Sequence, residues 1–285
     1  MGDFWLAVAA YPLARNALLA ALLVSVACGV VGSYVVVRRI TYIAAGVAHC
    51  VLGGLGAARY LSVTRGWDWL RPEYGALAAA LAAAGLIGWI SLRHREREDT
   101  VISAVWSVGM AAGILFLHAT PGYNQDLMGY LFGNILLVTG RGLWFLLLLD
   151  AVILGLAALF FRPFLAVCFD EEFVRLRNLP ADAYYLLLLA MTALTVVALS
   201  MVVGVVLVIA LLTLPAAAAG RFAGSLLQMM AGAAVLCALF CVAGLTVSYR
   251  PDWPAGPVII LIAGAAYLVA ALAPRLLRRA PRAGK

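Results

Sequence analysis

The chain has 285 residues, of which 66% are hydrophobic and 12% charged, about half the charged fraction of an ordinary soluble domain. Its only lysine is Lys285, so no Walker A loop can form, because the lysine that contacts phosphate is missing; HExxH zinc-protease and GxSxG nucleophile-elbow patterns are absent too. The net charge of +7 is accounted for by basic loops at one membrane face and gives no argument for nucleic-acid binding.

A hydrocarbon core about 30 Å thick takes roughly 20 apolar helical residues per crossing. Runs of that kind cover 16–37, 43–61, 74–92, 101–118, 143–161, 225–247 and 257–273, and 181–219 is long enough for two crossings with a break near Ser200. The expected architecture is an all-α polytopic membrane protein with a bundle of eight to nine transmembrane helices. The opening MGDFWLAVAAYPLARN puts an acid ahead of the first base, which reads as no cleaved leader. Cys28, Cys50, Cys168, Cys237 and Cys241 are scattered without CxxC spacing, so neither a disulfide framework nor a thiolate metal site is expected.

Short cytoplasmic loops carry an excess of Lys and Arg. Arg38-Arg39, the 93–99 loop, the 162–177 loop, Arg221 and the C-terminal tail together hold 14 of the 20 basic residues, so these segments and the C-terminus are assigned to the cytoplasmic side. Nine crossings put the N-terminus outside; merging or re-entry of one segment puts it inside.

Ionisable groups inside a span face a bundle interior or a wet cavity, which singles out three stretches. In IAAGVAHCVLGGLG, residues 43–56, His49 stands among Gly46, Gly53, Gly54 and Gly56, small residues that let neighbouring helices close in. Two roles are open for it: a neutral ring hydrogen-bonded to a neighbouring helix, or an imidazole contact for a divalent metal on a path. His94, in the charged RHRERED loop, reads as a solvated surface residue. In HATPGYNQDLMGYLFGNILL, residues 118–137, Pro121-Gly122 and Asn124 stop the preceding helix. A short re-entrant or interfacial helix follows, with His118 and Asp126 near the outer mouth and Asp126 suited to capping it.

Asp150 lies mid-run in LWFLLLLDAVILGLAALFF, where a structural partner on another helix is favoured over a transport role. In the loop at 162–185, Asp170, Glu171 and Glu172 open a helical pattern, Arg175 and Arg177 follow, and Pro180 ends it, a charge order that suits the helix dipole. Two roles are open for a short amphipathic helix of this kind on the cytoplasmic face: a docking element for a soluble partner, which is favoured, or a helix resting on the membrane surface.

Taken in order, GVVGSYVVVRRITYIAAGVAHCVLGGLG, REREDTVISAVWSVGMAAGILFL, TPGYNQDLMGYLFGNIL, FDEEFVRLRNLP, VVGVVLVIALLTLPAAAAGR and SYRPDWPAGPVIIL resemble the membrane-permease family of zinc, manganese and iron ATP-binding-cassette (ABC) importers. The resemblance covers nearly the whole chain and implies a single permease domain over 1–285 with a type II ABC importer-like fold, in a prokaryotic cytoplasmic (inner) membrane. It further implies a second permease chain, identical or related, a cytoplasmic ABC ATPase dimer that holds the ATP, and an extracytoplasmic metal-binding protein. On this reading the chain is no enzyme, binds no cofactor, and passes a divalent metal ion as cargo. FDEEFVRLRNLP would be the coupling helix, with Asp170, Glu171, Glu172, Arg175 and Pro180 transmitting movement from the ATPase. His49 would be a transient metal contact.

Many members of that family carry an acid four positions before this histidine, on the same helix face; here the position is Ala45. A histidine without its carboxylate holds a hard divalent ion less firmly and penalises softer ions less. Two rival readings follow from the residues alone: a proton-driven secondary metal transporter using Asp150 and His49, which would copurify with no ATPase, and a non-transport membrane scaffold, which would have no metal phenotype.

Overall fold

The computed structural model describes residues 2–93, 98–122, 129, 133, 135, 138–205 and 207–279. The described helices are α1 (Gly2–Ala10), α2 (Pro12–Arg38), α3 (Thr41–Arg65), α4 (Pro72–Arg93), α5 (Glu98–Ala119), α6 (Gly140–Leu159), α7 (Phe161–Phe169), α8 (Glu171–Leu176), α9 (Ala181–Val203), α10 (Val208–Ala219), α11 (Leu226–Tyr249) and α12 (Ala255–Arg279). Among the described residues, 8 helices are long and apolar enough to cross a membrane: α2 to α6, α9, α11 and α12.

Local chemistry fixes their ends. Pro12 begins α2 after the extended Tyr11, where the missing N–H costs no helical bond. The same helix ends at Arg39, whose left-handed φ of 61° lets the backbone N–H groups of Arg39 and Ile40 close onto Val36 and Val35, and α3 leaves from this turn. Thr139 caps α6 by accepting from the Gly142 N–H at 3.3 Å. Ser225 caps α11 through Gln228 N, while Gln228 Oε1 accepts from Gly224 N, a reciprocal arrangement related to the capping box.

The 181–219 run breaks near Ser200, as expected, but not at the serine itself. Ser200 does not break it; its hydroxyl donates to the Val197 carbonyl inside α9. The break comes at Gly204, with φ 78° and ψ 162°, a conformation open to glycine alone at little cost. A Cβ at Gly133 would lie 2.4 Å from Gly204 N, so another glycine abuts the break. Beyond it α10 has 12 residues, roughly 18 Å of helix, too short to cross alone.

Contacts set the directions of α2, α9 and α11. The inner end of α2 meets α8 through the Arg38–Glu171 ion pair, and its other end meets the start of α6, where Asn16 Nδ2 donates to the Val138 carbonyl. Helix α9 starts beside α8, since Arg175 pairs with Asp182, and so runs away from that face. Helix α11 also ends on the far face, where Tyr249 meets Phe4 edge-on at 5.7 Å. The chain therefore returns across the bundle between the end of α9 and the start of α11, with α10 on the way. Among the described residues this gives eight full-length spans and one return that includes the short α10, with α1 on the face opposite α8.

Interfacial residues agree with this layout. Trp67, Trp69, Trp144, Trp253 and Tyr11 are exposed at the far face, as a headgroup-level aromatic belt requires. On the α8 face, Arg93 lies over Trp89 and Arg221 over Tyr267. Helix α1, absent from the expected spans, lies on the far face with Phe4 buried.

In lipid, helices associate by close packing rather than by hydrophobic transfer, and α3 shows how. A Cβ at Gly54 would stand 2.1 Å from the Gly75 carbonyl oxygen on α4, and Cβ atoms at Gly53 and Gly56 would each stand 2.7 Å from the carbonyl oxygens of Gly109 and Gly113 on α5. Helix α3 is thus clasped on two sides, and this clasp sets the position of His49.

Candidate functional site: a stacked histidine and a tethered surface helix

His49 is 7% exposed and lies in the half of α3 nearer the α8 face. Its ring stacks on Trp106 of α5, centroids 4.3 Å apart and planes within 10°. Nδ1 is buried with no hydrogen-bond partner among the described residues, so this nitrogen makes no hydrogen bond to a described neighbouring helix. Stacking holds the imidazole; its nitrogen lone pair is uncommitted. Nearby, Tyr42 and Ser103 share a hydrogen bond of 2.6 Å, and the Tyr42 ring is tilted to Trp106 with centroids 6.2 Å apart. The adjacent Cys50 thiol donates to the Val105 carbonyl at 3.1 Å. Ala45 is buried and offers no donor atom. Among the described residues no group of three or more His, Cys, Asp and Glu side chains could hold a metal. One imidazole can contact a passing cation but cannot cage it.

The other expected polar residues do not join His49. His118 is exposed at the far end of α5, 12 residues and roughly 18 Å of helix from Trp106. Asp126 lies outside the described residues. Asp150 is 4% exposed in α6, and its Oδ1 has no partner; the structural partner expected on another helix is not found among the described residues.

The 162–185 segment is more structured than a polar loop. Helix α6 stops at Leu159, and α7 buries Phe164, Val167 and Cys168. Burial pushes the Cys168 thiol up to about 11, against the lowering effect of Arg38. Asp170 is not in a helix but caps α8, accepting from Phe173 N at 2.9 Å. The expectation that Pro180 ends this helix is corrected: α8 stops at Leu176, Asn178 reverses the chain at φ 55°, which asparagine tolerates, and Pro180 instead precedes α9 as its N-cap.

An ion ladder ties α8 to two spans. Glu171 accepts from Arg38 of α2 through one oxygen and from Arg175 at 2.8 Å through the other, and Arg175 also reaches Asp182 of α9 at 2.6 Å. Burial pushes the Glu171 carboxyl up, but the hydrogen bonds from Arg175 and Arg38 outweigh it and hold it below the usual range. Val174 is 1% exposed and pins the inner face, while Phe173 and Leu176, the latter 82% exposed, turn outward. Glu172 is exposed. The result is a short tethered helix with an exposed apolar face, on which Arg177 lies over the Phe173 ring at 5.5 Å. Sequence reasoning missed Arg38, Asp182 and Trp106. Arg38 was noted only for its charge, and the aromatic at position 106 gave no cue to a ring on another helix.

Comparison with known proteins follows the same outline. A probable metal transport system membrane protein of Chlamydia muridarum is 41% identical over 264 residues, 93% of this chain and 90% of the relative. The manganese transport system membrane protein MntC of Halalkalibacterium halodurans is 30% identical over 91% of this chain and 87% of its own. Among solved structures, PsaBC from Streptococcus pneumoniae in complex with Fab superposes with a TM-score of 0.84 at 30% identity, covering 94% of both chains. A family model described as the ABC 3 transport family matches residues 10–273, and the chain, a multi-pass membrane protein, belongs to that family.

Proposed function

We propose that the chain is the permease subunit of an ABC importer for divalent metal ions, manganese or iron in the first place and zinc by the wider family resemblance. ATP is hydrolysed on a separate cytoplasmic ATPase dimer, a second permease chain completes the path, and an extracytoplasmic metal-binding protein delivers the ion. The observation that carries this reading is the buried, unpartnered Nδ1 of His49, held by Trp106 on a helix clasped by glycines. The names of the relatives, manganese and metal transport systems, support the cargo class.

A conducting path must bind an ion well enough to admit it and weakly enough to release it, which suits one imidazole without the acid at position 45. The exposed face of Phe173 and Leu176 suits a groove on a soluble partner, and the ladder through Glu171 gives that partner a grip on α2 and α9. Elemental mass spectrometry of cells lacking the chain, limited in turn for manganese, iron and zinc, tests the reading. Loss of one metal, restored by the wild-type gene, is expected. Unchanged content of all three, in cells with no second uptake route, would overturn it.

A further inference from the structure

At the α8 face, the turn 38–40 that ends α2, Ser91 on α4, Glu171 on α8 and Tyr185 on α9 line a half-open cavity of about 350 Å³. Its charges are unequal. Glu171 is held by both Arg38 and Arg175, so its carboxylate is already neutralised. Arg38 is committed to Glu171 and lies over the Tyr185 ring at 5.6 Å. Arg39 is exposed and makes no ion pair with any described residue. Ser91 Oγ, in a buried residue, lies 3.3 Å from Tyr185 Oη; when it accepts from the tyrosine, its own hydrogen can donate into the cavity.

A guanidinium with no ion pair among the described residues and a buried hydroxyl, lining one half-open pocket, match a tetrahedral phosphate, which arginine binds through paired N–H donors. The cavity lies at the ends of α2, α4 and α9 nearest α8, and basic pockets between helices at a cytoplasmic face are suited to anionic headgroups. Its volume is near the lower end of small-molecule sites, roughly 300–1,000 Å³, enough for a headgroup but not for acyl chains.

We propose that this cavity holds the phosphate of an anionic phospholipid headgroup, with Arg39 as its main cation and Ser91 as a hydroxyl donor. A lipid seated there bridges α2, α4 and α9 beside the ion ladder of α8. Membrane composition would then tune how firmly that helix is held.

Native mass spectrometry of the purified full-length chain, titrated with phosphatidylglycerol and separately with phosphatidylcholine, reads the binding. Phosphatidylglycerol should be retained more strongly, and Arg39→Gln should weaken it about fivefold, the value of one basic contact near 1 kcal/mol. Arg39→Lys should restore part of the affinity, and Arg250→Gln on the opposite face should leave it unchanged. Should Arg39→Gln fail to fold, Ser91→Ala gives the second reading, with a smaller loss of the same sign. Equal retention of the two lipids, or of phosphatidylglycerol by wild type and both variants, would overturn the proposal. Displacement of bound lipid by inorganic phosphate supports a phosphate site, whereas binding of inorganic phosphate alone, with no lipid retained, would overturn the lipid source.

Discussion

Arg38→Gln should loosen α8 while leaving the bundle intact. A helix of six residues has no stability of its own in water, so α8 depends on Val174 and on the Arg38–Glu171 and Arg175–Glu171 pairs. A hydrogen bond to a charged group contributes about 1.5–3 kcal/mol when shielded. Here 23% of the Arg38 and 15% of the Glu171 side-chain surface remains exposed, which lowers the expected contribution to about 1–2 kcal/mol. Hydrogen exchange of the 171–176 amides should therefore quicken by about 5- to 30-fold, with the exchange of α2 and α9 interiors unchanged. Glu171→Gln should act in the same direction. In the assembled transporter, the same variant should hydrolyse ATP with less metal moved per ATP. Exchange within a factor of about two of wild type would refute the ladder, leaving Val174 and the backbone as the anchors of α8.

Acid should release α8 only late. The folded Glu171 carboxyl lies below its ordinary value, so the pair contributes fully above the unfolded pKa of about 4.3 and is lost as pH falls through the lower folded value. Exchange protection of α8, corrected for intrinsic rates, should thus hold from neutral pH to about 5; loss already near pH 6 would contradict the pairing. A second variant tests the clasp of α3. Gly54→Leu places its Cβ 2.1 Å from a backbone oxygen that cannot yield, and roughly 1–3 kcal/mol should be lost, seen as a lower Tm in detergent, whereas Gly85→Ala, with nothing within 4 Å, should leave Tm near wild type. Equal Tm for both variants would sink the close-packing argument.

The spans could be read from the sequence because lipid demands uninterrupted apolar runs, and no tertiary contact is needed to see them. Where a residue's effect depended on backbone conformation, reading failed. The break expected near Ser200 falls at Gly204: the serine returns its hydroxyl to its own helix, and the glycine supplies the conformation. Pro180 looked like a helix stop because proline ends helices from within, but Asn178 had already turned the chain. Helix α1 was missed because nine residues cannot form a span and so left no apolar signal of sufficient length. His49 was legible as an oddity in an apolar run. Its stacking partner was not, since Trp106 lies 57 positions away on α5, and the Arg38–Glu171 pair crosses 133 positions; only the folded chain brings either together.

The central claim is that His49 touches the transported ion. Proteoliposomes containing the purified transporter, with radioactive manganese or iron outside and ATP supplied to the ATPase, measure it directly. His49→Ala should cut uptake sharply while the ATPase stays bound and ATP turnover persists. Uptake equal to wild type by His49→Ala, with the complex intact, would contradict the claim and leave the stacked ring as packing alone.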